Sequence, residues 1–572
     1  MHGTRHLRER GVLGPQPPPA AHRQRRARQR ARRTGGARDE GVRMVACGGG
    51  RVVRAGKGHD VLRDDEGGWR TGSRTVKAVS ALSSPGIRAC TLTPKPISER
   101  FSRRRRLQVA EHVCGTAERG AAALRGPPSG HHGRRATRMS RTTAGTALPE
   151  DFLFGASTSA HQTEGNNHAS DWWALEHRPG TFLPQPSGDA ADSWHRWPED
   201  MDLLAELGFN AYRFSIEWAR IEPERGHVSR AALAHYRDMV RGALARGLRP
   251  VVTLHHFTNP RWFTERGGWT APDAPEVFAA YARTVLPVLT EGVRYVATIN
   301  EPNMIALMHT LLATARAEGS GGGMEGAAAL GARALPDAAV TRALIAAHAA
   351  ARRVLKEARP DLLVGWTVAN QVYEAEPGAE EVAAAHAYPR EDVFLEAARG
   401  DDWVGVQSYT RTRVGAEGPL PVPEGAETTQ TGWEYHPAAL AAAIRHTIAV
   451  TGPDVPVLVT ENGIATADDA RRLAYTTEAL RGLAATLREG CDVRGYLHWS
   501  ALDNYEWGSY GPTFGLIAVD PETFARTPKE SARWLGGLAR AGCLPPETEA
   551  TGEGALGDGG REGAGATRTG VR

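Results

Sequence analysis

Between residues 150 and 545 two apolar patterns alternate along the chain. Short, nearly continuous apolar runs each end in polar residues. Longer segments between them repeat their apolar positions every three to four residues. The short runs predict strands over Phe152–Ser157, Ala211–Trp218, Pro250–His256, Tyr295–Asn300, Leu362–Ala369, Trp403–Tyr409, Pro456–Asn462 and Val493–Ala501. They lack strict alternation, as strands buried on both faces do. The longer segments predict helices. One is capped by Ser229, presents Leu233, Tyr236, Val240 and Leu244 on one face, and stops at Gly247. Another aligns Leu473, Leu480, Ala484 and Leu487 and ends at Gly490. Eight such units in about 400 residues predict an α/β fold, a (β/α)8 TIM barrel with enlarged loops, as a single domain over 147–545. A doubly wound open sheet is the alternative, but no dinucleotide glycine fingerprint follows the first strand. The run Gly319–Gly323 reads as a flexible loop, because no Lys-Ser/Thr follows it to make a phosphate cradle.

The flanks differ from this core. Residues 1–138 hold 31 Lys and Arg against 10 Asp and Glu, a balance of +21; the remaining 39 basic and 55 acidic residues leave −16. An Arg-rich, low-complexity front therefore precedes an acidic domain, and the net +5 of the whole chain does not argue for nucleic acid at the barrel. The front, with runs such as Arg23–Arg33, reads as disordered, with Met139 expected to be the true start of the working protein. A nucleic-acid-binding arm or an organelle transit peptide are the other readings of it. Residues 547–572, rich in Gly, Ala and Glu, are also expected to be disordered. No run of 18 apolar residues exists, which excludes a membrane-spanning helix. Of five cysteines only Cys491 and Cys543 lie in the acidic part, which suits a reducing cytoplasm, and their spacing fits no zinc site.

In a TIM barrel the chemistry sits at the C-terminal ends of the strands. Strand two offers Arg213 and Glu217, and strand three His255 and His256. Strand four closes on Asn300-Glu301-Pro302, and strand six on Gln407-Ser408-Tyr409. Strand seven closes on Glu461-Asn462-Gly463, and strand eight on His498-Trp499, with Glu506-Trp507 shortly after. Glu301 and Glu461 thus face each other across the mouth. Paired carboxylates flanking a cleft suit glycoside hydrolysis, and Trp499 and Trp507 offer flat apolar faces to a sugar ring. Taken singly, either glutamate is as well explained by a salt bridge at the barrel mouth. His255 and His256 are neighbours on one strand, so they point to opposite faces and are not a metal pair. His195 and Arg196 are expected to be structural.

The chain resembles glycoside hydrolase family 1, the β-glucosidase family. The resemblance rests on FLFGASTSAHQTEG (152–165), DMDLLAELGFNAYRFSIEWARIEP (200–223), TLHHF (253–257), GGW (267–269), TINEP (298–302), TENG (460–463), HWSALDNYEW (498–507), FGLIAVD (514–520) and RTPKESARW (526–534), in family order. It implies that Glu301 is the general acid/base and Glu461 the nucleophile. Arg213 would hold Glu461 ionised and Tyr409 would donate a hydrogen bond to it. Asn300 would bind the sugar 2-hydroxyl, with Gln162, His256, Trp499, Trp507 and Glu506 as further sugar contacts. A carboxylate at Glu506 would repel a 6-phosphate. The retaining mechanism predicts carboxyl groups about 5–5.5 Å apart. No metal or organic cofactor is implied.

Several positions depart from the family pattern. Phe257 stands where many members have Trp, Gln407-Ser408 replaces Asn-Tyr, the stretch after Trp507 is one residue shorter, and segment 303–361 is short on the aglycone side. These changes bear on the substrate and leave both glutamates in place. The expected activity is hydrolysis of terminal β-D-glucosides by double displacement, with a small-molecule β-glycoside or oligosaccharide as partner. A β-galactosidase, β-fucosidase or β-mannosidase of the same family, and a catalytically inactive sugar-binding barrel, are the rival readings.

Overall fold

The computed structural model describes residues 145–318 and 334–546, and in the front of the chain only the two-residue strands Leu62–Arg63 and Trp69–Arg70, paired antiparallel. The expectations for the rest of 1–138, for a start at Met139, for the Gly319–Gly323 loop and for 547–572 lie outside the described residues. The chain divides into two units, 1–131 and 132–572, and the fold below belongs to the second.

Eight parallel strands close a barrel: β1 (Leu153–Ser157), β2 (Ala211–Ser215), β3 (Arg249–His255), β4 (Tyr295–Asn300), β5 (Leu363–Ala369), β6 (Val404–Gln407), β7 (Val457–Glu461) and β8 (Val493–Trp499). They follow one another around the ring in chain order, and β8 pairs with β1. All eight predicted strands are present. Several are shorter at the C-terminal end, because the polar residues there leave the ladder to line the mouth.

The predicted helices form for the predicted reasons. Ser229 accepts from the Ala232 N–H (3.1 Å) and starts Arg230–Ala245. Tyr236 and Val240 are buried on its inner face, with Leu233 and Leu244 packed beside them. Asp468 accepts from the Ala470 N–H (2.9 Å) and starts Asp469–Arg488, which buries Leu480 and Ala484. Gly247 and Gly490 follow these helices with φ of 75° and 91°, a conformation glycine adopts without strain.

The apolar side chains form two layers. One large cluster fills the space between barrel and helices. A second, with Leu153, Ala211, Val251, Ala297, Leu458 and Leu497, takes the opposite face of the strands and makes the floor on which the mouth is built. The close packing of β1 on β2 needs Gly155, where a Cβ would fall 1.9 Å from the Ala211 carbonyl oxygen. Among the described residues no helix is long and apolar enough to cross a membrane. No group of three or more His, Cys, Asp or Glu among them is arranged to hold a metal ion.

Candidate active site

Two irregularities in the ladder aim the paired glutamates. The pairing of β4 with β5 shifts register between Ala297 and Asn300, and that of β7 with β6 shifts between Val459 and Glu461. A bulge re-aims the residues that follow it. Asn300, Glu301 and Glu461 all line one cavity of about 730 Å³. Glu301 sits one residue past β4 with φ of 44°, a left-handed conformation costly for a side-chain-bearing residue. Its N–H is fixed by the Thr367 carbonyl (2.8 Å), and Pro302 begins the helix Pro302–Glu318.

Glu461 is held by three donors. Arg213 Nη1 donates to Oε1 at 2.6 Å, Gln407 Nε2 to the same oxygen at 2.6 Å, and the Tyr409 hydroxyl to Oε2 at 2.6 Å. Arg213 is fully buried and Glu461 is 4% exposed, so the pair would be costly without this completeness. Burial pushes the Glu461 carboxyl up, while Arg213 and the Tyr409 bond pull it back. Asn300 shares the same clasp. Its Oδ1 accepts from Arg213 Nη2, from Gln407 Nε2 (2.9 Å) and from Thr367 Oγ1 (3.0 Å). With its oxygen saturated, the Asn300 amide must turn its N–H2 toward His256 Nε2, 3.3 Å away, and toward the cavity. Burial and then Arg213 hold His256 well below its ordinary range, so its ring is neutral.

Glu301 has the opposite environment. Its carboxyl is raised well above the ordinary range by desolvation, then by the charge of Glu461, with only partial relief from Arg213. No hydrogen bond contributes to holding its charge. Burial raises both carboxyls in this cavity, but the donors on Glu461 hold its rise back while Glu301, without them, is raised well above the ordinary range, so Glu461 is the more acidic of the two.

The other expected sugar contacts gather at the same mouth. Glu506 accepts from Trp499 Nε1 (3.2 Å) and from Gln162 Nε2 (3.2 Å). Gln162 is itself oriented by Ser159 Oγ, which donates to its Oε1 at 2.7 Å. Burial, and secondarily the charge of Glu461, push Glu506 up to about 8. The His256 ring lies nearly parallel to Trp499 and Trp507, 5.9 and 6.2 Å away. Phe257, in the place where Trp is common, meets Trp507 edge-on at 4.9 Å, and both residues have positive φ.

Some strand-end residues fall elsewhere. Glu217 caps the short helix Trp218–Ile221 and accepts from Thr258 Oγ1 (2.7 Å), a structural role. His255 turns away from the cavity, bonded to Asn259 and packed against Trp269 and Phe278. His195 and Arg196 pair with Asp192 near the start of the helix Ser193–Leu207, away from the cavity. Gln407 was noted in the sequence as a strand-six end and as a departure from the family pattern, without a role, yet it bridges Glu461 and Asn300. Its place at the C-terminal end of predicted strand six, two residues before Tyr409, was the available signal. Trp172, from the short helix Asp171–Glu176, and Trp433, from a loop, also line the cavity. A second cleft of about 850 Å³ lies at the N-terminal ends of the strands and contains none of these residues. Its arginines Arg249 and Arg494 face Asp151 and Asp492, so it is a surface laced by ion pairs rather than a reactive site.

The family model for glycosyl hydrolase family 1 matches residues 144–411 and 406–542. A curated β-glucosidase of an Agrobacterium strain is 32% identical over 462 residues, which cover 69% of this chain and 96% of that protein. Among solved structures, the crystal structure of the β-glycosidase BGL167 aligns with a TM-score of 0.63 at 45% identity, covering 71% of this chain and all of that one. A β-glucosidase from Thermotoga maritima in complex with glucoimidazole aligns with a TM-score of 0.62 at 26% identity, covering 70% of this chain and all of that one.

Proposed function

The chain belongs to glycosyl hydrolase family 1, and from that premise we propose that it is a retaining β-glucosidase in which Glu461 is the nucleophile and Glu301 the acid/base. The observation that carries the reading is the asymmetry of the two carboxyls: Glu461 is clasped by Arg213, Gln407 and Tyr409, whereas Glu301 is desolvated beside it without a hydrogen bond to favour its anion.

Glu461 attacks the anomeric carbon while Glu301 protonates the glycosidic oxygen, and the alcohol leaves. The sugar is then esterified to Glu461, whose charge is gone. At about 5.5 Å and an effective dielectric constant of about 20, losing that charge relieves Glu301 by about 3 kcal/mol, or about two pKa units. Glu301, now a carboxylate, takes a proton from water as the water attacks the anomeric carbon, and Glu461 departs. Asn300 would donate to the sugar 2-hydroxyl, and Gln162 and Glu506 would bind the far side of the ring. The free thiols Cys491 and Cys543 suit a reducing compartment such as the cytoplasm.

The test is release of 4-nitrophenol from its β-D-glucoside by the full chain beside Glu461→Ala, with folding checked by circular dichroism. Activity abolished in the folded variant is expected. Unchanged activity would remove Glu461 from the mechanism.

A further inference from the structure

Resting on the β-glucosidase reading, we propose that the outer half of the cavity is an apolar subsite that selects glucosides of bulky hydrophobic alcohols over glucosides whose aglycone is a second sugar. The cavity of about 730 Å³ is far larger than one sugar ring placed between the glutamates and Glu506 needs. What lines the remainder decides what fills it.

One wall is a helix face. Met304, Leu307, Met308 and Leu311 recur at intervals of three and four along Pro302–Glu318, so they form one stripe, and all four line the cavity. Another wall is the strap Leu420-Pro421-Val422, which follows the two-residue strand Gly418–Pro419 and is anchored by the Leu420 N–H donating to the Arg413 carbonyl (2.8 Å). Leu420 and Val422 are 37% and 40% exposed, and Trp433 beside them is 40% exposed. Large apolar side chains exposed together around one opening mark a ligand-binding surface.

The two arginines nearest the opening, Arg411 and Arg413, and the Thr410 hydroxyl beside them are already paired. Arg411 donates to Glu434 at 3.0 and 2.7 Å and to Glu374 at 2.8 Å. Arg413 donates to Glu376 at 2.9 and 2.6 Å. Thr410 Oγ1 donates to the Glu434 carbonyl at 2.8 Å. A sugar aglycone placed against the helix stripe and the strap would bury hydroxyls against Met, Leu and Val, or would have to break these pairs. An alkyl or aromatic aglycone meets neither cost and removes the exposed apolar surface from water.

The test compares kcat/KM of the full chain for methyl β-D-glucoside, n-octyl β-D-glucoside below its micelle-forming concentration, and cellobiose. Methanol and octanol are leaving groups of similar acidity, so their ratio reads the subsite rather than the chemistry. Burying about half of the extra methylenes raises kcat/KM for the octyl glucoside about a hundredfold over the methyl glucoside. Leu307→Asp and Leu420→Asp, from two different walls, are each expected to lower the octyl/methyl ratio about tenfold or more. The ratio is internal to each variant, so a loss of folded protein cancels from it. An octyl/methyl ratio near unity, or cellobiose cleaved better than octyl glucoside, overturns the proposal while leaving the β-glucosidase reading intact. If no glucoside is cleaved, that reading fails instead. Calorimetric binding of octyl against methyl glucoside then decides the subsite by itself: tighter octyl binding supports it, and equal binding overturns it.

Discussion

Replacing Tyr409 with Phe removes one hydroxyl and little else. The ring keeps its contact with Phe514 at 5.8 Å, and the backbone stays pinned by the Tyr475 hydroxyl, which donates to the Tyr409 carbonyl at 2.6 Å. What is lost is the 2.6 Å donation to Glu461 Oε2. Burial and the neighbouring carboxylates hold the Tyr409 phenol well above its ordinary range, so it remains a donor wherever the enzyme works. A hydrogen bond to a charged group contributes about 1.5–3 kcal/mol. That bond favours the carboxylate, so removing it raises the pKa of Glu461, by about one to two units at 1.36 kcal/mol each. Arg213 and Gln407 still hold Oε1, which favours the lower end. The assay is the pH dependence of kcat/KM for 2,4-dinitrophenyl β-D-glucoside, whose leaving group needs no proton from Glu301. The acidic limb then reports the ionisation of Glu461 in the free enzyme. It is expected to move to higher pH by about one to two units, with the plateau about ten- to a hundredfold lower because Oε2 is no longer aimed. An acidic limb that stays where the unmodified enzyme has it refutes the reasoning.

Further outcomes follow from neighbouring contacts. Gln407→Leu removes the donations to Glu461 and Asn300 but also an Oε1 that is buried without a partner. Stability by chemical denaturation is therefore expected to change by only about 1–2 kcal/mol, while kcat falls about tenfold or more. Glu506, held at about 8, gains charge as pH rises past neutrality. KM for a glucoside is expected to fall across that range as a stronger acceptor forms for the sugar hydroxyls, and Glu506→Gln to abolish the trend. Glu301 has a folded-state pKa raised well above the ordinary carboxylate value, so the native state binds a proton that the unfolded chain has released. Its contribution to stability is present below the unfolded pKa and lost as pH rises toward the folded one. Glu301→Gln is therefore expected to lose less Tm than the unmodified chain between about pH 5 and 8 by calorimetry.

The barrel was legible because its strands are buried on both faces and its helices carry caps and stops at their ends. Ser229, Gly247 and Gly490 do in the structure what their residue types predict. The two glutamates were legible because strand ends are where such a barrel places chemistry. The bulges after Ala297 and Val459 were not, since a register shift belongs to the pairing of two strands and leaves no mark in either alone. Glu217 shows the converse. It ends an apolar run like a site residue, but a turn after Ser215 makes it a helix cap. The outer cavity walls were hidden for another reason. The stripe on Pro302–Glu318 looks like an ordinary core-facing helix, and only the strap at 420–422, distant in sequence, shows what it faces.

The central claim is a covalent sugar ester on Glu461, and mass spectrometry of the chain after incubation with 2,4-dinitrophenyl 2-deoxy-2-fluoro-β-D-glucoside tests it most directly. The fluorine slows both steps and the good leaving group lets the first proceed, so the ester accumulates. One fluoroglucosyl unit on the peptide containing Glu461, absent from Glu461→Gln and released on adding an acceptor alcohol, is the expected result. A chain that turns over β-glucosides yet is never labelled, or is labelled on another residue, contradicts the account.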